Sequence, residues 1–261
     1  MRGYRIVDLS LPLISGGGFG MPAQITYLDH RTRAKILSEK FGIAPEAMGG
    51  KANAIEQFTS LTCHAGTHLD APWHYDEIAE GKPALTVDRV PLEWCFGDGV
   101  WIDLSFKKPG EDITDKDVRK AFEQIEYTLK PMDIVLIKTG ASAYYGQPGC
   151  DEMNAGMTRQ ATLWLGEHGV RVVGIDAAIW DRPAKLQIAD LQKGLRRGSY
   201  MQGHRAAGEK GMCIIEGLTN LDQLPHYGFK VCAFPIKVQN AGAGWVRAVA
   251  FIPDSNEEGL S

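Results

Sequence analysis

Between residues 114 and 176 the sequence alternates twice between a helical pattern and a short apolar run. Thr114 is a residue type that caps helix N-termini, and apolar residues follow it at helical spacing. Residues 133–138 (DIVLIK) are then typical of a buried strand. The order repeats, with Thr158 opening an amphipathic helix and residues 171–176 (RVVGID) forming a second buried run. This rhythm predicts an α/β fold.

The remaining sequence contains no internal repeat and no composition shift that would mark a domain boundary, so we predict one domain over residues 1–261. The glycine-rich segment 16–22 disfavours regular structure and is interpreted as either a plain connection or a mobile lid. The other predicted elements are strands within 4–9, 54–69 and 100–104, a helix at 30–41, a short helix plus loop within 182–200, and a C-terminal hairpin of 230–236 with 246–252.

Charge and cysteine content exclude several classes of partner. The formal net charge of -4 argues against binding to nucleic acid or to an anionic membrane, so a small molecule is the expected partner. The sequence contains no run of about 18 apolar residues, so no membrane span is predicted. The cysteines are odd in number, form no CxxC pair and are expected to stay reduced, which predicts a cytoplasmic protein. They are Cys63, Cys95, Cys150, Cys213 and Cys232.

The segment from Cys63 to His74 (CHAGTHLDAPWH) holds three of the seven histidines of the chain. Its glycine and proline disfavour a helix. On an extended strand the side chains alternate, so His64, His68 and Asp70 would face the same side. Two imidazoles and a carboxylate, without a sulfur ligand, suit a catalytic Zn²⁺, Mn²⁺ or Fe²⁺ ion. A solvated strand face is the alternative, but the shared parity favours a metal site.

The run HAGTHLDAPWH resembles the HxGTHxDxPxH signature of the metal-dependent cyclase family, which includes bacterial kynurenine formamidases, isatin hydrolases and polyketide cyclases. The resemblance extends to the opening strand, which continues into Asp8-Leu9-Ser10, and to His204 and Glu216, twelve positions apart. In the family such a pair completes the metal site. A carboxylate in the apolar run CIIEGL would also be costly to bury without a cation. The resemblance therefore implies five metal ligands: His64, His68, Asp70, His204 and Glu216.

Other polar residues near the signature have two interpretations each. His74 lies beyond a proline and leaves the strand face, and the resemblance implies that it donates and accepts protons rather than binding metal. The alternative is a surface histidine. Thr67 is expected to orient a ligand or to pack. Trp73 would stack on an aromatic substrate or pack against the protein. Arg196 and Arg197 fit a substrate carboxylate, although a solvated basic loop is favoured.

The resemblance implies a single α/β domain with a mixed, curved sheet of the swivelling β/β/α type, assembled as a homodimer. One or two divalent ions per chain, zinc or manganese, would lower the pKa of bound water toward about 7 and polarise a carbonyl. The expected reaction is hydrolysis of an amide or ester in an aryl formamide, cyclic lactam or lactone, with His74 relaying the proton. The alternatives are a cyclase or dehydratase that uses the same metal, and a structural or metal-storage protein.

Overall fold

The computed structural model describes residues 3–20, 22–196 and 198–254. Within these ranges the α-helices are α1 (His30–Phe41), α2 (Asp115–Gln124), α3 (Arg159–Glu167), α4 (Ala184–Gln192) and α5 (Gln202–Glu209). The strands are β1 (Tyr4–Asp8), β2 (Gln24–Leu28), β3 (Ile55–Ser60), β4 (His68–Asp70), β5 (Ile78–Ala79), β6 (Lys82–Pro83), β7 (Phe96–Asp103), β8 (Asp112–Ile113), β9 (Ile134–Lys138), β10 (Gly156–Met157), β11 (Val172–Ile175), β12 (Cys213–Glu216), β13 (Tyr227–Cys232), β14 (Ala243–Trp245) and β15 (Val249–Pro253).

Nine of the strands in the described ranges form one mixed sheet, in the order β1-β15-β13-β7-β9-β11-β12-β4-β14. Its centre is parallel, because β7, β9, β11 and β12 run in the same direction. Helix α2 lies between β7 and β9 in the chain, and α3 lies between β9 and β11, as parallel pairing requires a crossover. The flanking strands pair antiparallel. The predicted α/β class with a mixed sheet is confirmed.

The sheet curls so that its first strand returns toward the other edge. Ser10, just beyond β1, forms an antiparallel bridge to Leu218, just beyond β12. In addition, the backbone N–H of Thr219 donates to the carbonyl of Leu9 at 3.0 Å. Since β1 is an edge strand and β12 stands seventh in the order, this contact requires a strongly curved sheet. The curvature is the one that the resemblance implied.

Two apolar layers cover the faces of the parallel centre, and alternation along each strand divides the side chains between them. In β9, Val135 and Ile137 pack under α2 and α3 with Trp164 and Leu165. Their neighbours Ile134 and Leu136 point into the other layer, inside the curl. A strand buried on both faces must be apolar throughout, which explains the uninterrupted run recognised in the sequence.

Most predicted elements are confirmed, and the helix starts follow from the capping residues. Thr114 and Asp117 form a reciprocal capping box at the start of α2. The side chain of Thr158 caps α3 in the same position. The predicted helix at 30–41 is α1, which ends at Gly42 in the left-handed region with φ of 66°.

The β-rich stretch predicted within 54–69 contains β3 and the start of β4, but the extended strand expected to carry His64, His68 and Asp70 is wrong. Strand β3 ends at Ser60, β4 begins at His68, and the residues between them form turns. Gly66 has a φ of 66°, which an extended strand does not allow. A Cβ atom at this position would also lie 2.9 Å from Cδ2 of Leu13, so the chain packs closely here.

The predicted pairing of the C-terminal hairpin is confirmed, although its connection also contains a further strand. Strands β13 and β15 pair antiparallel, with Val231 opposite Ala250. Between them the chain leaves the hairpin and forms β14, which pairs with β4 near the far edge of the sheet.

The described residues of the glycine-rich segment, 16–20 and 22, form turns, bends and irregular structure, and Met21 lies outside the described residues.

Residues 24–60, called the arm below, form a separate two-stranded sheet with a helix in its connection. Strands β2 and β3 pair only with each other in the described ranges, and α1 lies between them in the chain. Ala34 is the one buried residue of α1, and β3 has no buried residue.

Among the described residues, no helix is long and apolar enough to cross a membrane.

Candidate metal centre

The centre is built on β4, which lies between β12 and β14 near one edge of the sheet. His68 and Asp70 share a face of β4, while Leu69 points into the apolar layer inside the curl. The register places Glu216 of β12 directly opposite His68. Because Glu216 is the last residue of β12, its carboxylate reaches the same space. The strand pairing therefore joins ligands that are far apart in sequence.

His64 joins this group through a turn rather than through strand alternation. The turn at Gly66 reverses the chain, so that Nδ1 of His64 lies 3.0 Å from Oδ1 of Asp70. Thr67 stabilises the turn: its hydroxyl donates to the carbonyl of Gly217 and accepts from the N–H of Leu11. This side chain positions the backbone around the centre.

His204 reaches the centre from α5, which packs over this face of the sheet. Its Nε2 lies 3.3 Å from Oε1 of Glu216 and 3.8 Å from Oδ2 of Asp70. Nε2 of His68 lies 3.4 Å from Oδ1 of Asp70 and 3.6 Å from Oε2 of Glu216. The structure thus brings the other four sequence-predicted ligands around the carboxylate of Asp70. His204 is buried, although the basic loop before it in sequence allowed a solvated position.

The donor atoms of this cluster fit a cation better than they fit one another. Nδ1 of His68 lies 3.0 Å from the carbonyl of Gly66, which can only accept, so this nitrogen donates a hydrogen bond. Nε2 faces the carboxylates of Asp70 and Glu216. Nε2 of His68 and both carboxylate oxygens of Asp70 are buried without a hydrogen-bond partner among the described residues. Such an arrangement is costly unless a shared cation satisfies it.

The ionisation of the cluster agrees with that reading. Burial alone would raise the pKa of Asp70, but the surrounding imidazoles, His68 first, hold the pKa well below its usual value. Burial would lower the pKa of His204, yet the acidic groups, Asp181 first, raise it well above the ordinary value. The centre therefore keeps the carboxylate of Asp70 ionised and attracts positive charge.

Two groups of side chains share Asp70 and present atoms at ligand spacing. One consists of His68, Asp70 and Glu216, and the other of His64, Asp70 and His74. The second group includes His74, which the sequence had assigned to proton transfer. Two adjoining groups that share one carboxylate would hold either one or two metal ions.

His74 lies at the exposed mouth of the cluster. It belongs to the short 3-10 turn Pro72–His74, which takes it off the strand face as the sequence predicted. Its side chain is 34% exposed, and Nε2 lies 3.8 Å from Oδ2 of Asp70. Burial, aided by the nearby His64 and His204, lowers the pKa of His74 below its usual value despite the opposing charge of Asp70. The ring is positioned for either proton transfer or metal coordination.

Sequence reasoning missed two residues that contact the cluster. The Tyr75 hydroxyl donates to the carbonyl of Asp70 at 3.0 Å, and its ring packs on His204. The buried carboxylate of Asp181 lies 2.6 Å from Nδ1 of His204. Tyr75 directly follows the signature. Asp181 follows a short apolar stretch after β11. An acidic residue shortly after a buried strand was the sequence signal that could have identified it.

The softer candidates lie outside the cluster. Trp73 is 43% exposed and borders a surface depression with Leu85 and Arg89. Arg196 pairs with Asp112 at 2.8 Å, and both line a cavity of about 420 Å³ that Asp181 also borders. Arg197 lies outside the described residues.

Comparison with known proteins identifies the family. A family model described as "Putative cyclase" matches residues 7–182, about two thirds of the chain. The chain belongs to that cyclase family. The matched region contains the signature but ends before His204 and Glu216. The family expected from the signature is confirmed.

Solved structures share the fold across nearly the whole chain. Isatin hydrolase A from Ralstonia solanacearum has a TM-score of 0.75 at 23% identity, covering 95% of this chain and 92% of its own. An isatin hydrolase bound to the product analogue thioisatinate has a TM-score of 0.74 at 18% identity, with coverages of 97% and 94%. A predicted metal-dependent hydrolase from Bacillus stearothermophilus has a TM-score of 0.63 at 22% identity, with coverages of 95% and 98%. At these identities the similarity establishes the fold.

Proposed function

We propose that this cyclase-family protein is a metal-dependent hydrolase that cleaves an amide or ester bond in a small molecule. The observation that carries the proposal is the buried carboxylate of Asp70, whose oxygens have no hydrogen-bond partner among the described residues and face several imidazoles and Glu216. The hydrolase names of structurally similar proteins support it.

The proposed metal ligands are His64, His68, Asp70, His204 and Glu216. Nitrogen and carboxylate donors without sulfur suit zinc or manganese in a catalytic site. One or two ions per chain are proposed because two groups of donor atoms share Asp70. A divalent ion in such a site lowers the pKa of bound water toward about 7 and polarises a carbonyl.

The chain itself would handle the proton. His74 Nε2 is partly open to solvent and lies next to the ligand cluster, so it can take a proton from the attacking side and pass it to the leaving nitrogen or oxygen. The lowered pKa of His74 leaves its ring largely neutral near pH 7 and ready to accept. Asp70 is fully buried and stays ionised, which keeps the site anionic and in fixed geometry.

The proposed substrates are aryl formamides, cyclic lactams and lactones. Similarity in fold to an isatin hydrolase bound to a product analogue supports a ring-opening reaction. Trp73, which is 43% exposed and directly precedes His74, offers a surface on which an aromatic substrate could stack. A nucleic-acid or membrane partner is not proposed, given the net charge of -4.

We also propose a cytoplasmic homodimer. The five cysteines are free, as expected for a reducing compartment. The arm exposes large apolar side chains, including Tyr27 and Phe58, which a second copy would cover.

Metal analysis of the purified protein, followed by a panel of formamides, lactams and lactones, tests the function. We expect about one to two equivalents of zinc or manganese per chain, loss of turnover with a chelator, and a product heavier by one water. A product without added water would favour the cyclase or dehydratase. Tightly bound metal with no turnover on any substrate would favour a storage or structural role, and full activity without metal would overturn the proposal.

A further inference from the structure

The two-residue segment Trp180–Asp181 contacts both ligands of the second half of the chain. The backbone N–H of Trp180 donates to Oε1 of Glu216 at 2.8 Å. Oδ2 of Asp181 lies 2.6 Å from Nδ1 of His204. Glu216 ends β12 and His204 lies in α5, so one short segment fixes side chains from two separate elements.

The carboxylate of Asp181 also holds the start of α5. Oδ1 accepts from the N–H of Gly203 at 2.7 Å, and Oδ2 accepts from the N–H of His204 at 3.0 Å. The residue that precedes the helix, Met201, has a φ of 53° and makes no side-chain cap. Asp181 therefore supplies from a distance the cap that the local sequence lacks.

The helix can approach Asp181 this closely only because residue 203 is glycine. A Cβ atom there would lie 2.8 Å from the carbonyl oxygen of Met157 and 2.8 Å from Cδ1 of Trp180. The close approach brings the ring and the backbone of His204 to the same carboxylate. A single buried side chain thus determines both where the imidazole sits and which nitrogen carries hydrogen.

We propose that Asp181 is the positioning residue of the metal centre, acting through His204. By accepting the hydrogen of Nδ1, it directs Nε2 toward Glu216 and Asp70, where this nitrogen would offer its lone pair to a metal ion. Its negative charge makes the imidazole a stronger donor, as acidic partners of metal-binding histidines do. This inference rests on the proposed metal centre and adds a residue outside its ligand set.

The test measures Zn²⁺ affinity by competition with a chromophoric chelator for wild type, Asp181→Asn and Asp176→Asn. Asp176 is the matched control, because it is also a buried aspartate and its carboxylate accepts hydrogen bonds from Thr139 and Gly140 instead. We expect Asp181→Asn to weaken Zn²⁺ binding about 10- to 100-fold, the usual effect of losing such a partner. Asp176→Asn should bind Zn²⁺ with wild-type affinity.

A double-mutant cycle separates action through His204 from general destabilisation. In a His204→Ala background, Asp181→Asn should weaken Zn²⁺ binding no further, because its route to the metal is already gone. Equal losses in both backgrounds would overturn the proposal, as would wild-type affinity in Asp181→Asn. Circular dichroism on each variant identifies those that are folded.

A measurement on the wild-type protein covers the case in which Asp181→Asn does not fold. Nitrogen-15 spectra of the zinc-loaded protein should show His204 bound through Nε2 with hydrogen on Nδ1. Coordination through Nδ1 would overturn the proposal without any substitution. If the wild-type protein binds no Zn²⁺ at all, the proposed function fails, which is distinct from failure of the Asp181 assignment.

Discussion

Strands β4 and β12 bury every residue, including His68, Asp70 and Glu216, whereas β3 in the arm buries none. The first pair lies within the nine-stranded sheet, under α5, so both faces are covered. The arm is a two-stranded sheet, which alone is marginally stable in water. Polar groups that must keep a fixed geometry lie where packing holds them, while apolar side chains in the arm remain open to a partner.

The difference predicts how substitutions divide their effects. In the cluster a change should alter metal binding first, because several elements converge on the same few atoms. In the arm a change should alter association and leave the metal site intact. The four predictions below test this division, in order of decreasing expected effect.

Removal of a second-half ligand should have the largest effect. Glu216→Ala and His204→Ala should each weaken metal affinity by more than about 100-fold, since loss of even an outer partner costs roughly 10- to 100-fold. Turnover should fall with metal content. The measurement is metal content by mass spectrometry beside the rate on one substrate. Wild-type metal content and rate in both variants would show that the second half of the site is misassigned.

His74→Ala should separate proton transfer from coordination. If His74 moves protons, the variant keeps its metal and its fold while turnover falls about 10²- to 10⁴-fold. Since the pKa of His74 lies below its ordinary value, the rate of the native enzyme should rise with pH through an acidic limb, and that limb should vanish in the variant.

His68→Ala is the contrast to this variant, because a buried ligand should lose metal and activity together. Metal loss in His74→Ala would instead make His74 a ligand, in line with its place in the second donor group. Unchanged turnover would make it a surface histidine.

Gly203→Ala beside the metal centre and Gly42→Ala in the arm should lower the free energy of unfolding by similar amounts, so they allow the two regions to be compared. Gly203→Ala adds a Cβ atom 2.8 Å from a carbonyl oxygen, and such overpacking costs about 1–3 kcal/mol. Gly42→Ala has open space but a φ of 66°, which costs roughly 1–2 kcal/mol. Only Gly203→Ala should also weaken Zn²⁺ binding, because α5 must move. Thermal unfolding and Zn²⁺ titration measure the two effects, and equal Zn²⁺ affinity in both variants would contradict the division.

The smallest effect on the metal site is expected from the arm. Phe58 lies opposite Ile25, with Tyr27 on the same face, and residues Tyr27 and Phe58 are 62% and 49% exposed. Phe58→Ser and Tyr27→Ser should leave Zn²⁺ affinity unchanged and shift the protein from dimer toward monomer in light scattering. Leu92→Ser, at an exposed leucine outside the arm, is the control. A monomeric wild type would contradict the homodimer, and dimeric variants would exclude this face as its interface.

The sequence alone determined the fold class and the composition of the candidate centre. Apolar runs such as 134–137 are local signals of buried strands, and Thr114 and Thr158 mark helix starts through contacts within one turn. The signature and the pair His204 and Glu216 identified the side chains that the structure gathers. These features could be predicted because each depends on residues close in sequence or on a family pattern.

Only the tertiary structure decided how these side chains meet. Strand alternation would have placed His64 on the same face as His68 but four residues away along the strand. The turn at Gly66 instead brings Nδ1 of His64 to 3.0 Å from Oδ1 of Asp70 and its ring against that of His68. Asp181 gains its place from the approach of α5, and β14 leaves a hairpin to pair with β4. Each depends on contacts between distant segments, whose geometry is set by packing of the curled sheet rather than by local preference.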